Sequence, residues 1–579
     1  MHIVNVSCGF RHWAIGAYDS VMKTPRNRKP AGRQKAGFTT RFIFVCGGVM
    51  SGIGKGVTVA STARILKDYG FRVSCVKIDP YLNVDAGTMN PTEHGEVFVT
   101  DDGMETDQDI GNYERFMDHD VLRVNYMTQG QVYLSVIQRE RALGYKGKCV
   151  EPYPHILEEV QGRLQKAARS SRADFLLVEI GGTVGEYQNA LFLEAARLMK
   201  HQQPDRVLFM LVSYFPIPAM LGEMKTKPTQ TAVRSMQAMG VQPDIIIARA
   251  TVPLDRPRKE KVAMFCNVES RDIISAPDIT SIYDVPGNFE KDHLGRRILA
   301  KSGLKPHRNL GPVWKAMVRR MHSAKIPVRV GIVGKYFGTG DFTLSDSYLS
   351  VIEAIKHAAW ASNRKPQIEW LNAQEYEKDP KAVTELERYD AIIVPGGFGA
   401  RGVEGKIAAI RHCRTAGIPF LGLCYGMQLA TIEYARNVAG LRGAHTTEVD
   451  PATKHPVITT MAEQVSNIKD ANLGGTMRLG AYDCRLAPDT TSRALYGAGT
   501  VSERHRHRYE FNNAYREKLT AHGLKVAGIN PQRDLVEIIE LPDHPYFVGT
   551  QFHPELKGRP LSPHPLFVGL IRAAIARKK

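Results

Sequence analysis

The stretch RFIFVCGGVMSGIGKGVTVASTARILKDYG, residues 41–70, limits the possible folds of this chain more than any other. A short apolar run, Phe42 to Cys46, feeds a loop with five glycines in ten residues (Gly47, Gly48, Gly52, Gly54 and Gly56), and a helical pattern follows. Strand, loop and helix in that order open an α/β unit. Glycines let backbone amides approach a phosphate, the helix N-terminus adds partial positive charge, and Lys55 is placed to reach terminal phosphates. The usual phosphate-binding spacing would put glycine where Val49 stands and Ser or Thr where Gly56 stands, so this is a variant loop, one residue longer, without the metal-binding hydroxyl. A glycine-rich turn with a solvent lysine is the bland alternative, and the glycine density at a strand-helix junction weighs against it.

Continuous β-branched runs recur at 72–78, 174–180, 206–213 and 244–248 with helix-length segments between them, which predicts a buried parallel sheet. Around 300–327 the chain turns polar and basic with one helical stretch, and a second α/β series begins at 328–336, with strands at 390–394 and 418–423. The expected organisation is a basic, disordered extension (1–40), a first module (41–304), a linker helix (305–327) and a second module (328–579).

Charge and cysteines narrow the class. The net charge is +18, but seven basic residues and one acid fall in the first forty residues, leaving a mildly basic body with no nucleic-acid motif. That extension is Pro-, Gly- and Lys/Arg-rich; it loosely resembles a transit peptide, and a misassigned start reads equally well. No apolar run is long enough for a membrane helix, and eight scattered cysteines without a C-x-x-C pair argue for a reducing compartment, so a cytoplasmic protein is expected.

Candidate sites follow. With Gly56 unable to help hold a cation, the acids of DDGMETDQDIG (101–111) and Glu179, which closes a strand before Gly181-Gly182, are the natural oxygen ligands, although any one acid of the run could be a solvated loop residue. GEMKTKPTQ places Lys225 and Lys227 about Thr226, with Pro228 and Thr229 behind, a loop suited to a triphosphate. In PFLGLCYGMQ, Cys424 stands on a strand-to-helix turn, where a helix dipole favours thiolate and the next amide can face an oxyanion. Alone it would read as a buried small hydrophobe. His553 and Glu555 in TQFHPEL alternate as on one strand face, and together the three read as a Cys-His-Glu triad.

GLCYGMQ, PGGFG and QFHPE resemble a class I glutamine amidotransferase domain; joined to GGVMSGIGKG, DPYLNVDAGTMNPTEHGEVFVTDDGMETDQDIGNYERF, EIGGTVG, GEMKTKPTQ and GGTMRLG, they make the chain similar to the CTP synthase family from about Arg41 to Ala576. The resemblance implies two α/β domains, a variant P-loop, dethiobiotin-synthetase-like, Rossmann-type parallel sheet and a flavodoxin-like glutaminase. It implies a ligase of pyrimidine biosynthesis in which ATP phosphorylates O4 of UTP and ammonia from L-glutamine displaces the phosphate.

Carried over by position, Ser51, Gly52, Ile53, Gly54, Lys55, Gly56 and Val57 would hold ATP with Lys77, Asp278 and Ile279 near it, and Asp109 and Glu179 would bind Mg2+, the only cofactor implied. Ser51, Glu186, Tyr187, Gln188, Lys225, Thr226, Lys227, Pro228, Thr229, Gln230 and Lys261 would contact UTP, or CTP as inhibitor, and His94 would belong to the ammonia route. Cys424, His553 and Glu555 would be nucleophile, base and orienter. Gly397 and the Tyr425 amide would form the oxyanion hole, and Gly426, Met427, Gln428, Glu448 and Arg508 would hold glutamine. GTP as activator, a homotetramer and filaments are implied by resemblance alone.

Tyr425 replaces the family's usual Leu, Glu186 to Gln188 stand where GDIE is common, residues 144–156 depart from GDYLGxTVQVIPHI, and Pro277 stands at an expected Lys. The rival readings are a cobyrinate amidase-like ligase activating a carboxylate, against which GEMKTKPTQ speaks, and a filament-forming paralogue with dead chemistry, against which the intact triad and Lys55 speak.

Overall fold

On the strand Arg41–Gly47 (β1), Ile43 and Val45 enter one core while Phe42, Phe44 and Cys46 enter another. A strand buried on both faces belongs in the middle of a helix-covered parallel sheet. The computed structural model describes residues 39–90, 94–220, 222–334, 338–339, 342–343, 345–461, 464 and 474–578, so the expected extension lies almost wholly outside the described residues. From Thr40 on, the chain forms one compact unit.

The first sheet adds Val73–Asp79 (β2), Tyr126–Thr128 (β3), Phe175–Ile180 (β4), Val207–Tyr214 (β5), Ile245–Ala250 (β6) and Ile273–Pro277 (β7). Its order is β3-β2-β4-β1-β5-β6-β7 and every pairing is parallel. The runs expected from sequence match β2, β4, β5 and β6 to within a residue or two. Helices Lys55–Asp68 (α1) and Asp109–Met117 (α2) share one core, through Val59, Ala63 and Leu66 on α1 and Tyr113, Phe116 and Met117 on α2. Lys227–Ala238 (α3) buries Val233 and Met236 on the other face. The expected linker is helix Pro312–Ser323 (α4), started by proline at its first turn. It is no free tether: Trp314, Met317 and Met321 join the α1 core, and Trp314 Nε1 donates to the Tyr283 carbonyl at 3.0 Å.

The second sheet holds Pro327–Gly334 (β8), Lys365–Asn372 (β9), Ala391–Val394 (β10), Phe420–Leu423 (β11), Arg478–Leu486 (β12), Thr500–His507 (β13), Lys525–Asn530 (β14), Leu535–Glu540 (β15) and Phe547–Thr550 (β16). The order is β9-β8-β10-β11-β16-β15-β14-β12-β13. The first five strands are parallel and the rest run antiparallel. The expected first strand is described as Pro327–Gly334; residues 335–337, where its expected end at 336 falls, lie outside the described residues. Helices Leu349–Ala361 (α5) and Tyr425–Asn437 (α6) cover its opposite faces.

In both sheets the carboxyl ends of neighbouring parallel strands present the motifs together, where open α/β sheets bind ligands. The loops after β1 and β4 meet through Val184 N donating to Gly47 O at 2.7 Å. The segments after β10, β11 and β16 carry Gly396-Gly397, Cys424 and His553.

Candidate active sites

The glycine loop turns on left-handed backbone at Val49 (φ 68°), Gly52 (71°) and Gly54 (86°). Val49 is a β-branched residue in a region it disfavours, which marks a strained, over-determined turn. Lys55 opens α1 and folds back so that Nζ donates to Gly182 O at 2.9 Å, lying so close to Gly47 that a Cβ there would come within 3.0 Å of Nζ. Ile53 is buried, while Ser51 and Gly52 stay exposed at the loop tip.

Behind the loop, buried Lys77 on β2 ion-pairs with Asp109 and Glu179 (3.0 Å to Glu179), with Asp107 at 3.6 Å and Asp79 at 3.8 Å. Tyr113 donates to Glu179. Burial pushes Asp107 well up, and burial together with the Asp109 charge raises Glu179. Against burial, Lys77 holds Asp109 below the usual carboxylate range, and the four acids hold Lys77 well above the usual lysine range.

The place of Gly56 explains the variant loop. A Cβ on Gly56 would stand 1.9 Å from Asp109 Oδ1. The Asp109 carboxylate therefore occupies the space that a P-loop Ser or Thr side chain would fill, bringing a carboxylate oxygen to that point from α2. Among the described residues no three His, Cys, Asp or Glu side chains form a ready metal cluster. Two carboxylates around an ammonium suit a cation that takes one or two protein oxygens and completes its shell with phosphates and water, as Mg2+ does.

The KTKPTQ loop reaches this site. Thr229 shares a 2.8 Å hydrogen bond with Ser213 Oγ, and a Cβ on Gly48 would lie 2.8 Å from Ala232 Cβ. Gln230 Nε2 donates to buried Thr226 Oγ1 at 3.1 Å, and Pro228 stands in the first turn of α3 behind Lys227. Lys225 pairs with Glu223 at 2.6 Å; Lys225 and Lys261 together hold that exposed carboxylate below its usual value. Glu186 accepts from Thr183 Oγ1 at 2.6 Å beside Gly182, and Tyr187 is 97% exposed in the same loop as Gln188. Asp278 pairs with Arg249 at 2.8 Å, and Ile279 is exposed beside it.

The second site is built on Cys424, with φ 49° and ψ −98° between β11 and α6. This strained elbow is locked by close packing: Cys424 N donates to Thr550 O at 2.6 Å, and a Cβ on Gly426 would meet Val394 O at 2.1 Å. His553 Nδ1 lies 2.7 Å from Glu555 Oε1, and a Cβ on Gly396 would lie 2.9 Å from His553 Cε1 and 3.8 Å from Cys424 Cβ. Burial opposes a charge on His553, yet the Glu555 carboxylate and the Cys424 sulfur overcome it and raise the imidazole well above its ordinary value.

The strand expected to align His553 and Glu555 is absent. β16 stops at Thr550, and Pro554, which lacks an N–H, starts a 3-10 turn Pro554–Lys557 that brings the two side chains together instead. Gln428 Nε2 donates to Tyr509 O at 2.7 Å, Glu448 Oε1 accepts Gly399 N–H at 2.6 Å, and Arg508 donates to Gln464 Oε1 at 2.7 Å and Thr476 Oγ1 at 2.9 Å. Met427 is buried beneath Gly549.

A cavity of about 410 Å³ holds Cys424, Gly397, His553, Glu555 and Arg508 on one side and Gly87, Thr88, Met89, Glu96 and Val97 of the first module on the other. His94 is exposed beside this wall rather than in it. Sequence reasoning missed Gln551, whose Nε2 lies 3.7 Å from Cys424 Sγ, and half-buried Glu96, held by Ser350 of α5; two-residue spacing from His553 was the only signal for Gln551.

A glycine loop of phosphate-binding form backed by a carboxylate-lysine cluster, and a Cys-His-Glu cluster whose cavity is walled by both modules, are the parts of an ATP-dependent ligase that draws nitrogen from an amide. The residues 41–304 match the model for the CTP synthase N-terminus and 343–573 that for class I glutamine amidotransferase. The CTP synthase of Synechococcus sp. (strain JA-3-3Ab) is 48% identical over 92% of this chain and 97% of its own length. That of Thermococcus gammatolerans is 49% identical over 93% and 99%. Among solved structures, the Trypanosoma brucei CTPS glutaminase domain with bound acivicin is 35% identical, covering 43% of this chain and 94% of its own, with a TM-score of 0.40. The chain belongs to the CTP synthase family.

Proposed function

We propose that the chain converts UTP to CTP with ATP and glutamine at two sites in series, the second making the ammonia that the first consumes. The cavity whose walls come from both modules carries this reading, since ammonia released at Cys424 enters a space already bounded by Gly87, Thr88, Met89, Glu96 and Val97. Cys424 attacks the amide carbon of glutamine, and its S–H proton passes to His553, which returns it to the departing nitrogen as ammonia; water then cleaves the thioester. Glu555 orients the imidazole and favours its charged form. The Tyr425 amide, at the start of α6, and Gly397 receive the developing oxyanion, and Gln428, Glu448 and Arg508 hold the glutamine.

At the first site, residues 51–57 and Lys55 cradle the triphosphate of ATP, while Lys225–Gln230, Lys261 and Glu186–Gln188 hold UTP. Asp109 and Glu179 would hold Mg2+ there, which would offset the negative charge of the phosphates. Lys77 keeps these carboxylates together. Phosphorylation of the uracil O4 makes a leaving group that ammonia displaces. The module boundaries at 304 and 328, GTP activation, CTP inhibition, a homotetramer, filaments and a cytoplasmic location belong to the same reading, supported by the resemblance of motifs. No helix among the described residues is long and apolar enough to cross a membrane.

Cys424→Ala tests the series arrangement. CTP formation from glutamine is expected to disappear while formation from added ammonia stays within about threefold of the parent enzyme. Loss of both in a folded protein would refute two sites joined by a passage.

A further inference from the structure

We propose that the first module helps to hold the glutaminase triad in working geometry through a charged latch centred on Glu114 and Arg504, which act as positioning residues. The inference rests on the reading of Cys424, His553 and Glu555 as a glutamine-hydrolysing triad. Four cations of the second module (Arg504, Arg506, Lys557, Arg559) meet four carboxylates of the first (Asp101, Glu105, Glu114, Asp120). At the centre, the Arg504 side chain is 0% exposed and donates to Glu114 from both Nη1 and Nη2 at 3.0 Å, with Asp120 Oδ1 2.9 Å from Nη2.

The strand and the turn that carry these cations also hold the triad. On β13, the Arg504 carbonyl accepts the His553 N–H at 2.7 Å, and the Arg506 carbonyl accepts the Cys424 S–H at 3.8 Å. Arg506 Nε donates to Glu105 Oε1 at 2.8 Å. Lys557 closes the short turn that contains Glu555, and its Nζ donates to Asp101 Oδ2 at 3.2 Å. Each triad member is thus one backbone hydrogen bond, or one short turn, from a side chain gripped by the first module.

Docking alone does not call for this arrangement. Buried ion pairs are costly to desolvate and add little stability over an apolar contact of the same size. A two-pronged guanidinium-carboxylate pair adds direction, because its planar fork fixes orientation as well as distance. What it orients here is the β13 backbone. Glu114 lies on the nine-residue helix α2, whose first residue is Asp109 and whose Tyr113 donates to Glu179. One short helix therefore touches the nucleotide-site carboxylates at one end and the triad's scaffold at the other.

The test uses the full-length enzyme and the variants E114Q and R504K, following glutamine hydrolysis, ammonia-dependent CTP formation and the rate at which iodoacetamide alkylates Cys424. A shift near 1 Å in a catalytic group costs on the order of 100-fold. E114Q should therefore lower kcat for glutamine hydrolysis by roughly 10- to 100-fold with KM within about threefold, slow alkylation in parallel, and leave ammonia-dependent synthesis within about threefold. The double variant should lose about as much as the worse single one, since both break one path. D120N, at the latch rim where the side chain is 40% exposed, gives a milder fall of the same kind and keeps the test readable if E114Q yields little folded protein. Unchanged hydrolysis, or equal losses of hydrolysis and ammonia-dependent synthesis, would overturn the latch. Hydrolysis persisting in Cys424→Ala would instead overturn the triad reading, so the two failures are distinct.

Discussion

Restoring the residue that an ordinary phosphate-binding loop carries should destroy the first site. In Gly56→Ser the new Cβ would stand 1.9 Å from Asp109 Oδ1 and 2.5 Å from its Cγ. Unstrained contact needs about 3.5 Å, so the carboxylate must retreat by roughly 1.5 Å, away from Lys77 and from any cation it shares with Glu179. Gly56 has ordinary helical backbone, and serine is the better helix former by about 0.5 kcal/mol, so the backbone accepts the change. Overpacking of this kind costs about 1–3 kcal/mol, which a protein of this size survives. Catalysis tolerates less: a displacement of this size costs at least roughly 100-fold, or about 2.7 kcal/mol of transition-state stabilisation. The assay is CTP formation from UTP, ATP and added ammonia, which bypasses Cys424, with circular dichroism to confirm folding. Gly56→Ala should fall as far, because the clash and not the hydroxyl decides. If Gly56→Ser keeps more than about a third of parental activity, the Asp109 carboxylate is not where the chemistry is held.

Two pH effects follow. In Glu555→Gln the carboxylate that raises His553 is gone, so the imidazole loses its proton at lower pH; the basic limb of the pH-rate profile for glutamine hydrolysis should move to lower pH, with kcat down roughly 100-fold or more. An unmoved limb would remove Glu555 from the triad. Glu96 is half-buried in the wall of the shared cavity, and desolvation pushes its carboxyl up to about 7, against the nearby Arg115. Its folded value lies above the unfolded one, so the folded chain holds more protons and stability falls as pH rises from about 4.5 to about 7, by at most about 3 kcal/mol. Glu96→Gln lacks that slope, so its melting temperature should gain on the parent between pH 5 and pH 8; parallel curves would refute the raised Glu96 carboxyl.

Much of the chemistry was legible locally. The glycine loop, PFLGLCYGMQ and QFHPE each carry their own turn chemistry: glycine for left-handed or crowded backbone, apolar runs for buried parallel strands, a cysteine trapped where strand meets helix. The geometry joining them was less legible. His553 and Glu555 alternate as on a strand, but proline between them removes the N–H a strand would use and a tight turn does the work instead. In the acidic run, spacing could not single out Asp109 from its neighbours; the resemblance named it, and its physical distinction is the space beside Gly56.

By itself the sequence determined the two α/β modules, the positions of Lys55, Cys424 and His553, and the strand-loop-helix units that present them, because these depend on short-range periodicity and turn preference. Only the tertiary structure decided that Asp109 fills the place of a missing hydroxyl, that Lys77 sits among four carboxylates, and that the RHRHR run, residues 504–508, holds Arg504 buried against Glu114. Those relations join residues up to 390 positions apart. They follow from how helices and strands far apart in the chain pack within the first module and where the two modules meet, and no local pattern encodes that.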